Sequence, residues 1–433
     1  MAVTRRQFMM GAGLAAAAIS GGLAGCAPSS GGASGGGTNL ALAWWGNPTR
    51  NKNTQATIDA YIKANPGVTI QAQPGDFASY WDKLATQTAG GTAPDIIQMD
   101  MAYISEYGNR GALLDLSKVD TSKFVEGTVD AGKIGGTLVG INAGINTLVV
   151  LANPSVFEKA KLDLPDDTTW TWDELMSVST EVAAKAGVPF GVAGVFGGDG
   201  TFSTWLRQNG KELFTEQGLG FDVADVTAWF EIMLKFDQAK AIGTAQQSSE
   251  EGMGASGKPI DQMALVLGKA GMQISNSNQL QAISDAAGQE MKLLRLPSLT
   301  GKAIDRKAWY KASMLWSASA RSKNPDAAIA WINWWVNSTE AANFDLAERG
   351  IPANTELQAA ILPKLSPVQQ TVSKFITDIV PEITTAPPIA PPPGGGTLVN
   401  VMFRYATDVL FKRSTVPDAA KMFVDEMTSN LKV

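Results

Sequence analysis

The sequence predicts an α/β protein with two domains, each a mainly parallel sheet flanked by helices. Strands and helices alternate from residue 40 onward, which is the order that crossover helices between parallel strands produce. A second alternating stretch begins near residue 147. About 395 residues follow a short N-terminal segment. A single hydrophobic core usually holds fewer residues than that, so we expect two domains.

The first domain opens with a β-α-β-α-β run. Its first strand is a short apolar run, its second alternates apolar and polar residues, and apolar residues recur at helical spacing in its first helix. Gly, Pro and Asn separate the elements. The run predicts strands over residues 40–45, 68–72 and 95–99, and helices over residues 54–64 and 80–89.

The second αβ stretch contains a clear helix start. Thr171, with Glu174 three residues later, fits a capping box that opens a helix to about residue 186. Asn324 and Pro325 fit an N-cap and first-turn proline, and predict a helix through residue 336. The Pro/Gly-rich residues 387–396 predict a surface loop. The remaining predictions are strands over 147–151 and 272–274 and a helix over 226–239.

The N-terminal segment resembles an export signal followed by a tether. Arg5 and Arg6 precede an uncharged apolar run, and the chain's single cysteine, Cys26, closes a small-residue processing site. Residues 1–26 therefore resemble a Tat-type lipoprotein signal with a lipobox at Cys26, and residues 27–37 a flexible spacer. A chance Gly/Ala-rich leader with an incidental cysteine is the alternative. We expect a lipid-anchored protein on the extracellular face of the cytoplasmic membrane, with no other contact to the membrane.

Composition removes several classes of function. The chain has no histidine, which excludes Ser-His-Asp triads and HExxH zinc sites. A net charge of −6 without a long basic run argues against nucleic acid as a partner. We expect neither a cofactor nor a metal. Carboxylate chemistry of the glycosidase type, or no chemistry, stays open.

Several segments, taken in order, resemble the extracellular solute-binding proteins of ABC importers, specifically the maltose-binding-like family 1 of carbohydrate-binding lipoproteins. They are WWG (44–46), GTAPDIIQMD (91–100), GALLDL (111–116), NTLVVLANPSVF (146–157), TWTWDEL (169–175), LGKAGM (267–272), SKNPDAA (322–328) and RGIPAN (349–354). Two departures concern the substrate. Residues 274–278 lack the aromatic that this family often has there, and Pro154 stands where many members have lysine.

The resemblance implies a two-lobed clamp of the type II periplasmic-binding-protein class, joined by hinge strands. The first lobe would comprise residues 38–146 plus 313–349, and the second residues 147–311 plus 350–433. Such a protein would close on its ligand by a hinge motion. We expect a monomer that delivers a carbohydrate to the transmembrane subunits of an ABC permease, without being an enzyme.

A sugar presents apolar C–H faces and a rim of hydroxyls, so its receptor needs aromatic rings together with amides or carboxylates. Most of the 12 tryptophans will serve the core, and Trp331 and Trp335 are expected there. Each candidate aromatic residue could instead pack in the core. Asn47 could instead form a turn, and Asp100 could instead cap a helix. The predicted ligand-binding residues are Trp45, Asn47, Tyr80, Trp81, Asp100, Asn146, Trp205, Asn209, Asn276, Asn278, Trp309 and Tyr310.

Two other functions remain possible from the sequence. A secreted glycoside hydrolase would need two carboxylates about 5–10 Å apart across a cleft, for which Asp100 and Glu106 are available. The second of these functions is a receptor of the same fold that binds a polyol, a glycerophosphodiester or a peptide. An anionic ligand would require more cations near the cleft than Arg50, Arg207 and Lys311 provide.

Overall fold

A computed structural model describes residues 37–253 and 258–431. Arg5, Arg6, the lipobox Cys26 and nearly all of the predicted spacer lie outside the described residues, so the signal and the lipidation site stay predictions. Among the described helices, none has the length and apolar character that crossing a membrane requires.

Thirteen strands and fifteen α-helices make up the described part of the chain. The strands are β1 (Thr38–Trp45), β2 (Val68–Gly75), β3 (Ile96–Met99), β4 (Lys133–Ile134), β5 (Thr137–Leu138), β6 (Ile141–Asn146), β7 (Leu148–Ala152), β8 (Phe190–Ala193), β9 (Phe214–Thr215), β10 (Gly218–Leu219), β11 (Ala270–Asn276), β12 (Lys292–Leu294) and β13 (Lys311–Ala318). The helices are α1 (Pro48–Ala64), α2 (Phe77–Ala89), α3 (Met101–Asn109), α4 (Pro154–Ala160), α5 (Trp172–Ala186), α6 (Asp199–Gln208), α7 (Val223–Gln238), α8 (Ala245–Glu251), α9 (Leu280–Ala287), α10 (Pro325–Asn337), α11 (Thr339–Asp345), α12 (Thr355–Ile361), α13 (Pro367–Asp378), α14 (Leu398–Leu410) and α15 (Val416–Asn430).

Two large sheets organise these elements. The first has five strands in the order β2-β1-β3-β13-β6, and the second has four in the order β12-β7-β11-β8. We call each sheet with its packed helices a lobe. The first sheet lies mainly in the predicted first lobe and the second sheet in the predicted second lobe. The residues at which one lobe ends and the other begins stay a prediction.

The sheets are mixed, and the prediction of mainly parallel sheets was wrong. β1 runs parallel to β2 and β3, but β13 is antiparallel to both β3 and β6. In the second sheet β7 is antiparallel to β11 and β12, and only β8 is parallel to β11. The cause is the path of the chain. The chain leaves the first sheet after β6 and enters the second sheet as β7, and it later returns to the first sheet as β13. Each of these two strands therefore enters its sheet in the direction opposite to the one that a crossover helix would give.

Local signals in the sequence account for most helix starts. Thr171 and Glu174 form the predicted capping box of α5. Asn324 precedes α10 as predicted, but its side chain donates to the Asn39 carbonyl and makes no capping hydrogen bond. The predicted loop at residues 387–396 lacks regular structure up to residue 394, and a short 3-10 turn spans Gly395–Thr397. Most of this loop is half-buried, so it packs on the protein.

The core of the first lobe is built around tryptophans and one arginine. Trp331 and Trp335 are buried on one face of α10, as predicted, and both contact Trp316 of β13. The guanidinium of Arg349, which is fully buried, lies 5.2 Å from the Trp316 ring centre and 5.0 Å from that of Trp335. Such cation–π contacts are strongest where the cation is desolvated.

Hydrogen bonds join Arg349 to three further elements and, once more, to β13. It donates to Asp345 of α11 at 2.6 Å, to Thr54 of α1 at 2.8 Å and to Gln98 of β3 at 3.0 Å. Its carbonyl accepts from Ser313 of β13. Burial lowers the pKa of Arg349, and the Asp345 carboxylate opposes that shift. The Asp345 carboxylate therefore stabilises the positive charge of the buried guanidinium.

Replacing Arg349 with methionine tests this role. Arg349→Met leaves Asp345 buried without its partner, so we expect the free energy of unfolding to fall by about 3–5 kcal/mol. Urea denaturation followed by tryptophan fluorescence measures it. Lys374→Met, which removes the exposed Lys374–Asp378 pair, is the matched control and should hardly move the midpoint. Equal midpoints for the two variants would contradict the role given to Arg349.

Candidate functional site

The candidate site lies where one edge of each sheet faces the other. β1, β2, β3 and β6 all end at one edge of the first sheet, and β13 begins there. In the second sheet β7 begins at the edge where β8, β11 and β12 end. Only Thr147 separates the end of β6 from the start of β7. Ligands of open α/β folds bind at the carboxyl ends of strands, so this junction is the candidate cleft.

Three crossings of the described chain meet at this junction. The first is Asn146–Thr147. The second leads into Lys311, which pairs with Asn146 across the sheet. The third follows Arg349, where Ile351 bridges to Ile145. A β-carbon on Gly350 would lie 2.5 Å from the Ile145 carbonyl oxygen, so only glycine fits this approach.

Amide side chains from both sheets meet at the first crossing. Asn146 donates its amide to the Oδ1 atom of Asn278 at 3.0 Å. The Oδ1 atoms of Asn146 and Asn276 are buried and have no hydrogen-bond partner among the described residues. A buried acceptor without a donor costs about 1–3 kcal/mol, so these two oxygens are suited to receive hydroxyl groups.

Trp309 lies beside these amides. Its carbonyl accepts from the hydroxyl of Thr147 at 3.1 Å, and its half-buried ring lies 5.3 Å from the Arg207 guanidinium. The Tyr310 side chain is directed to α13, where its hydroxyl donates to the Ile376 carbonyl at 2.8 Å. Burial raises the pKa of Tyr310 to about 12, so its phenol stays neutral. Trp309 therefore offers a ring near the cleft, and Tyr310 supports the second lobe.

The predicted aromatic residues of the first lobe form one cluster. The Trp45 ring lies 5.2 Å from Tyr80 and 5.3 Å from Trp81. Tyr80 is buried and its hydroxyl donates to the Gln98 carbonyl at 2.7 Å, so it serves the core. Trp81 stacks on the half-buried Tyr103 at 4.0 Å. The indole nitrogen of Trp81 is buried and lacks a partner among the described residues.

Asn47 and Asp100 stand at the cleft edge and also cap helices. Asn47 accepts from the Arg50 backbone at 2.8 Å and donates to Glu348 at 2.9 Å. Asp100 accepts from the Ala102 backbone at 2.9 Å. Arg50 lies 3.5 Å from Glu348, and burial, with the nearby charge of Arg349, lowers the Arg50 pKa to about 10. Burial raises the pKa of Glu348.

Trp205 and Asn209 do not join the amides at the junction. Trp205 is buried in the core of the second lobe, against Phe202 and Trp229. Asn209 is exposed and donates to the Trp205 carbonyl at 2.8 Å, which closes the end of α6. Their contact with a ligand stays a prediction, and neither is placed in the site proposed below.

Sequence reasoning missed three residues at this site. Thr147 was assigned only to a strand, although its backbone nitrogen and hydroxyl join Ser277 to Trp309. Glu348 stands 301 positions from its partner Asn47 in the chain, so no local pattern indicates the pair. Tyr103 had a signal, since it follows a strand that ends at the cleft.

No group of three or more His, Cys, Asp or Glu side chains could hold a metal ion in the two described ranges of the chain. A recess next to Trp309, partly open to solvent, is lined by apolar side chains together with the charged Arg295, Arg306 and Glu382. The chemistry that the junction offers is therefore hydrogen bonding by amides, with the aromatic ring of Trp309 at the recess that Thr147 also lines.

Comparisons with known proteins show which proteins this chain is similar to. A maltodextrin-binding protein of Bacillus subtilis (strain 168) is 24% identical over 359 residues, which cover 79% of this chain and 80% of that protein. An oligogalacturonide binding protein from Yersinia enterocolitica, in complex with saturated digalacturonic acid, matches with a TM-score of 0.76 at 18% identity, covering 90% of this chain and 97% of the other. The ABC substrate-binding protein Lmo0181 from Listeria monocytogenes, in complex with cycloalternan, matches with a TM-score of 0.74 at 20% identity, covering 91% and 98%.

These structural matches confirm the predicted two-lobed α/β fold class. The model of the family described as "Bacterial extracellular solute-binding protein" matches residues 56–371, which is more than half of the chain. The sequence motifs, the paired sheets and this match agree. The chain therefore belongs to the bacterial extracellular solute-binding proteins.

Proposed function

We propose that this protein is a receptor that binds a mono- or oligosaccharide between its lobes and delivers it to an ABC permease. One observation carries the proposal. Among the described residues, the Oδ1 atoms of Asn146 and Asn276 are buried without donors at the junction of the two sheets, where the neighbouring Thr147 bonds to the Trp309 carbonyl. Sugar hydroxyls would satisfy the two acceptors, and a sugar face would stack on the indole.

The charges near the junction support a neutral ligand. Arg207 is paired with Glu212 at 2.9 Å, and Arg50 with Glu348 at 3.5 Å. Both cations therefore already have carboxylate partners. A uronate that approached either arginine would have to displace its carboxylate partner, which leaves Lys311, half-buried at the second crossing, as a cation near the junction without an ion pair among the described residues. A neutral sugar would displace no carboxylate. Neutral glycans, which the Bacillus relative's name indicates for that protein, fit this balance better than acidic ones.

The glycoside hydrolase alternative has less support. Asp100 caps α3 through the Ala102 backbone, and Glu106, on the same helix, pairs with Arg110 at 2.8 Å in an exposed position. A hydrolase needs its two carboxylates on opposite sides of the scissile bond. Two carboxylates on one short helix do not provide that, so we propose a protein that binds without catalysis.

The proposed location follows from the N-terminal pattern. A lipid on Cys26 would hold a monomeric receptor at the extracellular face of the membrane. Tethering there raises the receptor's effective concentration at the permease without any added contact between the two proteins. We also propose that the lobes divide at residues 146/147, 311/313 and 349/350, because the lobes of a clamp must rotate about the segments that connect them.

Binding to a panel of sugars tests the proposed receptor. We expect calorimetry to detect binding of maltotriose or cycloalternan, and weaker or absent binding of digalacturonic acid. Asn278→Ala removes the hydrogen bond that Asn146 now makes, so it should raise the Kd about tenfold to a hundredfold. Trp309→Ala should also weaken binding, since the stacking surface is lost.

Asn65→Ala is the matched control for that series. Asn65 ends α1 and donates its amide to the Tyr61 carbonyl at 2.8 Å, at the opposite edge of the first sheet. Its removal should leave the Kd unchanged. If no saccharide binds and a polyol, glycerophosphodiester or peptide does, the substrate class proposed here is wrong.

Release of reducing ends distinguishes a receptor from a hydrolase. We expect the purified protein, incubated with maltodextrins or cycloalternan, to release no more reducing sugar than buffer alone, because Asp100 and Glu106 lie on the same side of the cleft, at one short helix. A reducing-sugar assay measures this. Reducing ends that accumulate in proportion to protein, and vanish in Asp100→Asn, would establish the enzymatic alternative.

A further inference from the structure

Residues 385–397, which we call the proline-rich segment, lie between the two lobes on the cleft side. The segment leaves the second lobe after α13 and leads into α14, whose residues belong to the core of that lobe. Along its length it contacts both lobes, so its position depends on their separation.

Contacts of the second lobe fix the two ends of the segment. Arg207 donates to the Thr385 hydroxyl at 2.5 Å and to the Ala386 carbonyl at 2.7 Å. At the other end, Asn430 of α15 donates to the Thr397 hydroxyl at 3.2 Å. A β-carbon on Gly395 would lie 3.1 Å from the Phe214 ring. The segment is therefore held by the second lobe.

The segment also contacts the first lobe, in its middle and at the 3-10 turn whose other side the second lobe holds. Ala390 packs against the first lobe's core, and the 3-10 turn Gly395–Thr397 packs against α3. The approach is closest at Gly396. An added β-carbon there would lie 2.7 Å from the Ala102 carbonyl oxygen and 3.6 Å from the Tyr103 ring. Real β-carbons do not approach other atoms to within 3.0 Å.

We propose that Gly396 is a positioning residue for ligand binding, which sets how far the two lobes close without touching the ligand. The proposal rests on the function proposed above. The backbone of Gly396 is not in the left-handed region, so alanine is compatible with its local conformation. The obstacle to a side chain is the opposite lobe alone. Moving the lobes apart relieves it, and no core contact within either lobe has to change.

Small-angle scattering tests the proposal directly. We expect Gly396→Ala to have a larger radius of gyration than wild type, and Gly396→Val a larger one still. The unfolding midpoints should match wild type, because opening removes the clash. With whichever sugar of the panel wild type binds, dissociation from Gly396→Ala should be about tenfold faster, since the variant closes less completely.

Gly90→Ala is the matched control. Gly90 follows α2 at the opposite edge of the first sheet, in a right-handed helical conformation, and its added β-carbon comes no closer to another atom than 3.3 Å, at the Thr86 carbonyl of the preceding turn. It should leave both the radius of gyration and the dissociation rate unchanged.

The outcomes separate the two proposals. A wild-type radius of gyration for both Gly396 variants overturns the positioning role. A lower unfolding midpoint without any change in dimensions overturns it too, since the contact would then serve only packing. If wild type binds no saccharide, the proposed function fails, while the scattering comparison still decides whether Gly396 sets the separation of the lobes.

Discussion

The buried guanidinium of Arg349 is the contact on which the cleft edge of the first lobe depends. It lies against the rings of Trp316 and Trp335 and donates to Gln98, and Gln98 in turn donates to the Trp45 carbonyl at 3.0 Å. The end of β1 is thus fixed by a group that also begins the third crossing. Fold and site share one network, because the residue that fills the core also starts a connection between the lobes.

The junction places polar groups where two sheet edges meet and supports them from behind. Thr147 joins Ser277 to Trp309, and Ser313 joins the Gly144 and Arg349 carbonyls. Among the described residues at the junction, the Oδ1 atoms of Asn146 and Asn276 are buried acceptors without a hydrogen-bond donor. A site preorganised in this way loses little side-chain freedom on binding, which favours affinity without a large interface.

Elements with local signals could be predicted from the sequence, and contacts between distant residues could not. The capping box at Thr171 and the burial of Trp331 and Trp335 follow from spacing within one helix. The directions of β7 and β13 depend on the path of the chain between lobes, which no local pattern records. Likewise, Trp45 could be placed at a strand end, but its burial depends on Trp81, 36 positions away and in another element.

The composition of the proline-rich segment has an entropic consequence. Pro387, Pro388, Pro391, Pro392 and Pro393 fix their own φ angles and restrict the residues before them. Few conformations are therefore accessible to the segment when it is released from the first lobe. A glycine-rich loop of the same length would lose much more freedom each time it docked again. Repeated opening and closing would carry only a small ordering cost in this part of the chain.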